Sequence, residues 1–311
     1  MSCYTLGIDT SNYATSLAVF DTAGEVVCAK KRFLPVKEGQ LGLRQSDALF
    51  HHTAALPEML DELGKECDLT QIAAVGVSQK PRPVEGSYMP CFLVGLSHAT
   101  LLSDALHVPL VEVSHQQGHV AASLWSAGHL ELMEQPHLAW HLSGGTTELL
   151  LVEPEGKLVN CTKIGGTTDI SAGQLIDRTG QLLGLPFPSG KHLDALSREA
   201  EGTDFFRVKC TDMTFSFSGM QNKVQQYYEA GKNPAETAAY ALRCVAYGVF
   251  HATEQARKAY PGLPVVFSGG VASNTLLRQV LEPLNPIFAQ PQYSTDNAMG
   301  VAVLAGRCTE V

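Results

Sequence analysis

The stretch YTLGIDTSNYATSLAVFDTAGEVVC, residues 4–28, carries the pattern that decides the expected fold. An apolar run is followed by a polar loop that starts at Asp9, a second apolar run, a turn and a third apolar run. Short apolar runs separated by turn residues predict three consecutive β-strands. The same order of runs and loops returns at residues 137–161, where Ser143 opens the polar loop. The offset between the two polar loops is 134 residues, close to half of the 311-residue chain.

A repeat at half length predicts a gene duplication and two similar domains, although β-meanders are common enough for two unrelated ones to share the pattern. Strand clusters followed by helices belong to the α/β class. The apolar spacing predicts helices at residues 45–63, 91–106 and 234–259. We expect a first domain over residues 1–115, a second over residues 116–311 and a cleft between them. An alternative that the sequence leaves open is that the last helix, about residues 296–308, packs back on the first domain.

The composition is that of an ordinary globular protein, with 45% hydrophobic and 17% charged residues. It excludes a disordered chain, a collagen and a coiled coil. No apolar run reaches the roughly 18 residues that a membrane helix needs. Asp9 also interrupts the apolar N-terminus before a signal-peptide core forms. These features predict a cytoplasmic protein with no membrane partner.

The charge and the cysteines restrict the expected ligands. The formal net charge is −9. Because phosphate contacts supply most non-specific affinity for nucleic acids, an acidic chain needs a local basic groove or a basic partner subunit to bind RNA. The eight cysteines include no C-x-x-C pair. They are therefore expected to be reduced thiols, and a cysteine-based zinc site is disfavoured.

Three polar loops rich in Gly, Ser or Thr directly follow apolar runs, at residues 7–12, 142–148 and 268–274. A Gly-Gly pair lets the backbone approach a ligand because no Cβ is in the way, and its N–H groups can hold phosphate oxygens. Residues 274–281 have a helical pattern, so the third loop is expected to present a helix N-terminus to the same ligand. Each loop alone is more simply a tight turn, whereas three of them in two similar halves favour a nucleotide site.

His115 and His119 are four residues apart and follow an apolar strand. On a helix this spacing puts both rings on one face, which suits a metal ion. Asp296 is the best candidate for the carboxylate that would complete a set of two histidines and one carboxylate. The simpler interpretation of Asp296 is that it favours the dipole of the last helix. The second pair with this spacing, His137 and His141, lies in a predicted strand and is interpreted as structural.

Eight motifs make the chain similar to the glycoprotease-like family, the catalytic subunits of tRNA threonylcarbamoyladenosine synthase, within the wider superfamily of actin, sugar kinases and heat-shock ATPases. The resemblance covers nearly the whole chain and follows the family's order. LLGLPxPxG and FSFSG are the most specific of the motifs, since they are rarely met elsewhere. The motifs are GIDTS at Gly7, HxxGH at His115, LSGGTT at Leu142, AGxxxD at Ala172, LLGLPxPxG at Leu182, FSFSG at Phe215, GGVAxN at Gly269 and TDNA at Thr295.

The resemblance implies two ribonuclease H-like domains with the actin-like ATPase architecture. It implies one divalent metal, iron or zinc, on His115, His119 and Asp296. The implied site for ATP or an acyl-adenylate consists of Leu142, Ser143, Gly144, Gly145, Thr146, Asp177, Gly190, Gly269, Gly270 and Asn274. The implied reaction moves a threonylcarbamoyl group from its adenylate to N6 of the adenosine that follows the anticodon in tRNA, with the metal as a Lewis acid. The implied partners are tRNA and the other subunits of a synthase complex, and no catalytic residue is singled out.

The chain departs from the family motifs mainly at acidic positions. These departures keep two alternatives open: a carbamoyltransferase that acts on a small molecule, and a nucleotide-binding partner or scaffold without catalysis. A metallopeptidase is disfavoured, because His115 is followed by Gln116 and not by the glutamate that such enzymes use as a base. The replacements are Asn12, Tyr13 and Ala14 for C-D-E, Gln117 for Glu, Thr146 for His, DISAGQ at residues 169–174 for DDAAGE, and Gln221 for Lys.

Overall fold

The computed structural model of the protein describes residues 3–11, 14–21, 24–35, 43–293 and 298–309. The strands in these ranges are β1 (Tyr4–Ser11), β2 (Ala14–Asp21), β3 (Val26–Phe33), β4 (Ile72–Lys80), β5 (Leu110–Ser114), β6 (His137–Leu142), β7 (Thr147–Glu155), β8 (Leu158–Thr167), β9 (Thr214–Phe215), β10 (Val265–Ser268) and β11 (Ile287–Phe288). The α-helices are α1 (Gln45–Gly64), α2 (Phe92–Leu106), α3 (His115–Ala127), α4 (Ala172–Leu182), α5 (Gly190–Ser197), α6 (Ser218–Glu229), α7 (Pro234–Ala259), α8 (Thr275–Leu281) and α9 (Met299–Thr309). Within the same ranges, none of the helices has the length and apolar character to cross a membrane.

Two mixed β-sheets form the frame of the fold. The strand order is β3-β2-β1-β4-β5 in the first sheet and β11-β10-β6-β7-β8-β9 in the second. Starting from β8, the second sheet therefore repeats the first as β8-β7-β6-β10-β11, with β9 added at its edge. In both sheets the central strand pairs antiparallel with the strand that follows it and parallel with a strand from later in the chain. The predicted α/β class with two similar halves is confirmed.

Clustering of contacts divides the chain into two compact units. Unit 1 holds the described parts of residues 1–135, 153–161 and 296–311, and unit 2 holds those of residues 136–152 and 162–295. In this division α3 and α9 belong to unit 1. The predicted division into domains after residue 115 stays a prediction.

The first sheet is covered on both faces within unit 1. Side chains alternate between the faces of a strand, so Leu6 and Ile8 of β1 join the buried cluster with α1 and α2. Gly7, between them, faces α9 instead, because a Cβ there would lie 2.3 Å from the Ala298 carbonyl oxygen. Thr5 faces the same way, and its Oγ1 donates to the Ala302 carbonyl oxygen at 2.9 Å. The small residues of β1 thus position the last helix of the chain.

Glycine also permits the close crossing of α3 and α9. A Cβ at Gly300 would lie 1.8 Å from the Gly118 carbonyl oxygen. We expect Gly300→Val to lower the free energy of unfolding by at least about 3 kcal/mol, because both backbones must move apart. Urea denaturation measures the change. The control is Gly219→Ala in α6, where an added Cβ meets no atom within 4 Å. This variant is expected to gain up to about 1 kcal/mol, and equal losses in both variants would contradict the close crossing.

Unit 2 builds its core between the second sheet and its helices. α7 carries most of this core, and its start is fixed by Asn233, whose side chain accepts from Glu236 N at 2.8 Å, and by Pro234 at the first helical position. From β6, the fully buried Trp140 reaches α7, where its Nε1 donates to Thr253 Oγ1 at 2.9 Å. The helix predicted over residues 234–259 is confirmed at both ends.

Candidate functional site

The two predicted histidine ligands lie at the start of α3, directly after β5. Ser114 caps the helix: its Oγ accepts from Gln117 N at 3.2 Å, while Gln117 Oε1 accepts from Ser114 N at 2.8 Å. This capping box fixes His115 as the first helical residue, so that His119 follows one turn later. The two Nε2 atoms are 2.9 Å apart. The structure thus brings these two rings together, whereas the third predicted ligand, Asp296, lies outside the described residues.

A buried carboxylate contacts the Nδ1 side of the His115 ring. Asp9 of β1 has no exposed surface, and its Oδ1 accepts a hydrogen bond from His115 Nδ1 at 3.0 Å. The same oxygen accepts from the hydroxyl of Ser78 at the end of β4. The sequence analysis placed Asp9 in the first polar loop but did not name it as a site residue. The available signal was an acid directly after an apolar run, where the sequence analysis expected a polar loop. The structure instead continues β1 through Asp9 to Ser11, so the charge is buried and needs partners.

The histidine pair is suitable for a divalent transition metal. Neutral imidazole nitrogens are common ligands of zinc and iron. The 2.9 Å between the Nε2 atoms matches two ligands that each lie about 2.1 Å from one ion at about a right angle. Across the described ranges, no group of three or more His, Cys, Asp or Glu side chains converges as a metal site. A complete ligand set therefore needs a contribution such as that expected of Asp296.

A second histidine environment of unit 1 is buried and has no predicted role. His52 of α1 has no exposed surface, and its Nδ1 lies 2.8 Å from Thr15 Oγ1 on β2. Burial lowers the pKa of His52 to about 4, although the Asp9 carboxylate opposes that shift. The folded protein therefore holds this ring neutral in the range where an unfolded chain takes up a proton, below its ordinary pKa of about 6.5.

Acid should consequently destabilise the protein through His52. Because the unfolded state binds the extra proton, stability falls as the pH drops from about 6.5 and stops falling near pH 4. Between pH 7 and pH 5 we expect a loss of about 2 kcal/mol in the free energy of unfolding from this group. His52→Gln should remove that part of the loss, whereas Thr15→Val should retain it, since burial persists. Urea denaturation at both pH values measures the loss. If His52→Gln lost as much unfolding free energy between pH 7 and pH 5 as the wild type, this prediction would be contradicted.

In unit 2, the Ser143–Thr146 loop is fixed against the start of α4. Ser143 N donates to the Thr146 carbonyl oxygen at 2.8 Å, which closes the turn. The Ser171 hydroxyl donates to the Gly144 carbonyl oxygen at 2.5 Å. At Gly173 an added Cβ would lie 2.5 Å from Gly144 Cα, so only glycine lets the loop and the helix approach this closely.

The Gly269-Gly270 loop lies against the same turn. An added Cβ at Gly269 would lie 2.1 Å from the Leu142 carbonyl oxygen, and this glycine has a φ of +91°. The helix expected over residues 274–281 is confirmed, with Asn274 at its N-cap. The chain first makes a 3-10 turn over Gly270–Ser273, and α8 begins at Thr275. With seven residues, α8 is a weak source of helix dipole at a phosphate site.

The remaining predicted residues of the nucleotide site are linked through α4 and α5. Asp177 Oδ1 accepts from Ser189 N at 2.8 Å, immediately before Gly190. Asn274 is buried and uses both ends of its side chain: Oδ1 accepts from Leu277 N at 2.9 Å, and Nδ2 donates to Asp194 Oδ1 at 2.8 Å. Asn274 therefore shapes the start of α8. Asp194 was missed in the sequence, where its only signal was an acid on the turn after Gly190.

Three glycines of these loops border open space. A Cβ added at Gly144, Gly145 or Gly270 would meet no atom within 4 Å, in contrast to Gly173 and Gly269, where it would clash. Gly144, Gly145 and Gly270 are also exposed. The cluster therefore presents accessible backbone on a frame that glycine contacts hold in place. Such backbone can donate N–H groups to an anion.

Comparison with known proteins assigns the chain to a family. The sequence profile described as "TsaD: tRNA N6-adenosine threonylcarbamoyltransferase" matches residues 37–303. The chain belongs to this family. A threonylcarbamoyltransferase of Carboxydothermus hydrogenoformans is 30% identical over 311 residues, which cover 96% of the chain and 90% of that protein. One of Lactococcus lactis subsp. cremoris is also 30% identical, over 89% of the chain and 82% of its own length. The predicted membership is confirmed.

Solved structures show the same fold at low sequence identity. Full-length HypF in its phosphate- and nucleotide-bound form has a TM-score of 0.64 at 14% identity, over 99% of this chain and 47% of HypF. Component A of the (R)-2-hydroxyglutaryl-CoA dehydratase of Acidaminococcus fermentans has a TM-score of 0.59 at 15% identity, over 99% and 100%. A ROK family glucokinase of Streptomyces griseus has a TM-score of 0.54 at 12% identity, over 97% and 99%. These likenesses confirm the actin-like and sugar kinase-like fold class.

Two of the departures from the family motifs have a structural explanation. Gln117 and Gln174 stand where the family motifs have glutamate, and both occupy the third helical position of a capping box. Their side chains accept from Ser114 N and Ser171 N at 2.8 and 3.0 Å. Glutamine and glutamate serve equally in this role. The start of α3 and the start of α4 are thus preserved without the two acids.

A third departure from the family motifs, at Gln221, preserves a polar contact. Gln221 replaces the family's lysine and accepts from Arg178 at 2.6 Å, where a lysine would meet a like charge.

Asp169 keeps the first acid of its motif, and its carboxylate accepts from Phe217 N at 2.8 Å and from the hydroxyls of Ser216 and Ser218 at the start of α6. These hydrogen bonds outweigh the desolvation that opposes them, and they hold the pKa of Asp169 well below its usual range. They fix the FSFSG motif next to α4.

Proposed function

We propose that this chain catalyses the reaction of its family, the transfer of a threonylcarbamoyl group from its adenylate to N6 of an adenosine in tRNA. The chain is then a transferase of tRNA modification. The observation that carries the proposal is the convergence of the family's glycine motifs in unit 2, where Gly144, Gly145 and Gly270 leave backbone accessible. The chain's match to the family over most of its length supports the same activity.

In the proposed site, the two Gly-rich loops bind the phosphate of the adenylate through backbone N–H groups. Asp177 has one oxygen engaged with Ser189 N, and the other oxygen accepts from ribose hydroxyls. Asn274 and Asp194 act indirectly, because their side chains hold each other and the start of α8. Holding the adenylate rigidly matters, since the exocyclic amine of adenine is a weak nucleophile and positioning supplies much of the rate.

The histidine pair of unit 1 would hold a divalent metal, iron or zinc, together with Asp296. When bound, such a metal supplies Lewis-acid polarisation of a carbonyl group. In the transfer, the N6 nitrogen forms a bond to the carbamoyl carbon, the bond from that carbon to the phosphate oxygen breaks, AMP leaves, and the nitrogen loses one proton. His115 and His119 contribute neutral ring nitrogens, and Asp9 keeps the first ring in place.

The acidic net charge of −9 bears on the partners. A chain with this charge gains little non-specific affinity for RNA. We therefore propose that partner subunits of a synthase complex help it to bind tRNA, and that it works in the cytoplasm, where its substrate is. We also keep the division into domains after residue 115 as a proposal.

The test is complementation of a bacterial strain depleted of its own threonylcarbamoyltransferase, with the modified nucleoside quantified in bulk tRNA. Restored growth and restored nucleoside are expected from the wild-type chain, and neither from Gly270→Val. The purified chain is assayed in parallel with threonylcarbamoyl adenylate and a tRNA transcript, against a transcript with guanosine in place of the target adenosine. Binding of the adenylate without any transfer would overturn the proposal in favour of a scaffold. Transfer to a small hydroxyl compound alone would favour the other carbamoyltransferase.

A further inference from the structure

We propose that Asp9 is a positioning residue which fixes the tautomer of His115, so that the His115 and His119 Nε2 atoms face one cation. This inference rests on the proposed function for the presence of a metal, but not for the hydrogen bonds behind it. The contact between Asp9 Oδ1 and His115 Nδ1 is 3.0 Å long and lies at a fully buried carboxylate.

The proton of the His115 ring follows from its partner. An ionised carboxylate only accepts hydrogen bonds, so His115 Nδ1 must carry a proton and donate it to Asp9. Ser78 Oγ donates to the same oxygen, so Asp9 Oδ1 acts as an acceptor towards both partners. In a neutral ring the other nitrogen, Nε2, then has a lone pair. That nitrogen makes a hydrogen bond of 2.9 Å with His119 Nε2, in which His119 is then the donor.

The alternative tautomer would disable the pair. With the proton on Nε2, His115 would present an N–H group to its partner ring and could not donate a lone pair to a metal. Exchange of an orienting aspartate for asparagine is known to leave a histidine in the wrong tautomer. Loss of such a carboxylate behind a ligating histidine typically costs 10- to 100-fold in metal affinity. Asp9 thus decides whether the capped start of α3 presents a ligand at all.

Ser78 extends the same chain of hydrogen bonds to β4. Its hydroxyl is fully buried and bonded to Asp9, so it restricts rotation of the carboxylate and leaves the charge in place. Three neighbouring elements therefore set the orientation of one ring: β1 through Asp9, β4 through Ser78 and α3 through its capping box. The Ser78 contribution should be smaller than that of Asp9, because the acceptor itself remains when the hydroxyl is removed.

The experiment measures zinc affinity by competition with a chromophoric chelator, and histidine tautomers by long-range ¹H–¹⁵N NMR of the metal-free protein. Asp9→Asn and Asp9→Ala are expected to weaken zinc binding by about 10- to 100-fold, and Ser78→Ala by a smaller factor. The control is Thr10→Val on the same strand. Thr10 is equally buried, but its hydroxyl donates to the Cys91 carbonyl oxygen at 3.0 Å. It should bind zinc within about twofold of wild type, even if it is less stable.

The outcomes separate the two proposals. In the wild type, protonated Nδ1 and unprotonated Nε2 on His115, with a change of this pattern in Asp9→Asn, support the positioning role. Protonation of Nε2 in the wild type overturns it, as does zinc affinity in both Asp9 variants within twofold of wild type. If the wild type binds no zinc, the proposed metal fails, and the NMR pattern still decides the role of Asp9.

Discussion

Gly270→Val is expected to abolish the binding of ATP and of the threonylcarbamoyl adenylate while the fold persists. A Cβ at this position meets no atom within 4 Å, so the valine side chain enters open space without straining the loop. In the proposed site that space belongs to phosphate oxygens, which the side chain then excludes. We expect at least about a 100-fold loss of affinity, equivalent to about 2.7 kcal/mol. Calorimetric titration with ATP measures it, and a thermal melt checks the fold.

Gly269→Val is the matched control for this prediction, one residue earlier in the same loop. There the new side chain would collide with the Leu142 carbonyl oxygen at a backbone φ of +91°, a conformation that β-branched residues rarely adopt. This variant should lose stability as well as binding. The two neighbours thus separate exclusion of a ligand from damage to the loop. Binding of ATP to Gly270→Val as tight as that of wild type would show that phosphate does not lie at this glycine.

Much of the fold could be predicted because its signals are local. Runs of apolar residues mark β1, β2, β6 and β7, and the repeat of the pattern after 134 residues predicts that the strand order is repeated. The second and third glycine loops could be located for the same reason, since they directly follow β6 and β10. The loop expected over residues 7–12 is wrong, because residues 7–11 lie within β1. The repeat alone left a chance likeness of two meanders open. The additional strands remove that alternative: β10 pairs with β6 and β11 pairs with β10, as β4 pairs with β1 and β5 pairs with β4.

The parts that could not be predicted depend on distant partners. Asp9 meets Ser78 and His115 across the ends of three strands, and no local pattern shows which side chains a sheet brings together. Asp194 meets Asn274 in the same way, from 80 residues away. A single buried acid gives a weak signal in sequence, because its partner is set by the order of strands and helices and not by spacing.

The helix after the third loop could be predicted, but the turn before it could not. The apolar spacing of residues 274–281 correctly indicates a helix. The chain cannot enter it directly from Gly269, whose left-handed φ turns the backbone into a 3-10 turn first. Asn274 then takes the N-cap position, where its side chain satisfies Leu277 N. Of the two roles open for Asn274 in the sequence, a phosphate contact or the shaping of the helix entrance, the structure shows the second.

The hydrogen bonds at two helix starts explain how the chain tolerates the loss of two of the family's acids. Gln117 and Gln174 accept the same backbone N–H groups that a glutamate would accept in a capping box. The exchange of the two glutamates for glutamine therefore removes two negative charges but keeps the geometry at the starts of α3 and α4. The residues that replace C-D-E begin at Asn12 and Tyr13, which lie outside the described residues. The chain thus keeps the geometry of both helix starts with two fewer acidic side chains than the family motifs have.

His115→Ala is expected to remove the bound metal and, with it, tRNA modification. The two rings form a pair with 2.9 Å between their Nε2 atoms, and deleting one leaves a single neutral ligand in unit 1. Structural zinc sites with four ligands bind with roughly 10–16 kcal/mol, so that one ligand is worth about 3–4 kcal/mol, or a loss of about 100- to 1000-fold. Elemental analysis of protein purified with zinc or iron supplied should fall from about one ion per chain to almost none.

Two further variants make this last expectation specific. His129→Ala also removes an imidazole from unit 1, but His129 is half-buried, it follows the C-terminal end of α3, and its Nδ1 bonds to Glu131 at 2.9 Å. It should keep the metal. Asp296→Ala tests the predicted third ligand directly, and it should reduce the metal content as His115→Ala does, because a carboxylate supplies the only negative charge expected in the ligand set. Full metal content in His115→Ala would show that the ion binds elsewhere. Full content in Asp296→Ala alone would restrict the site to the histidine pair and return Asp296 to the simpler role of favouring the dipole of the last helix.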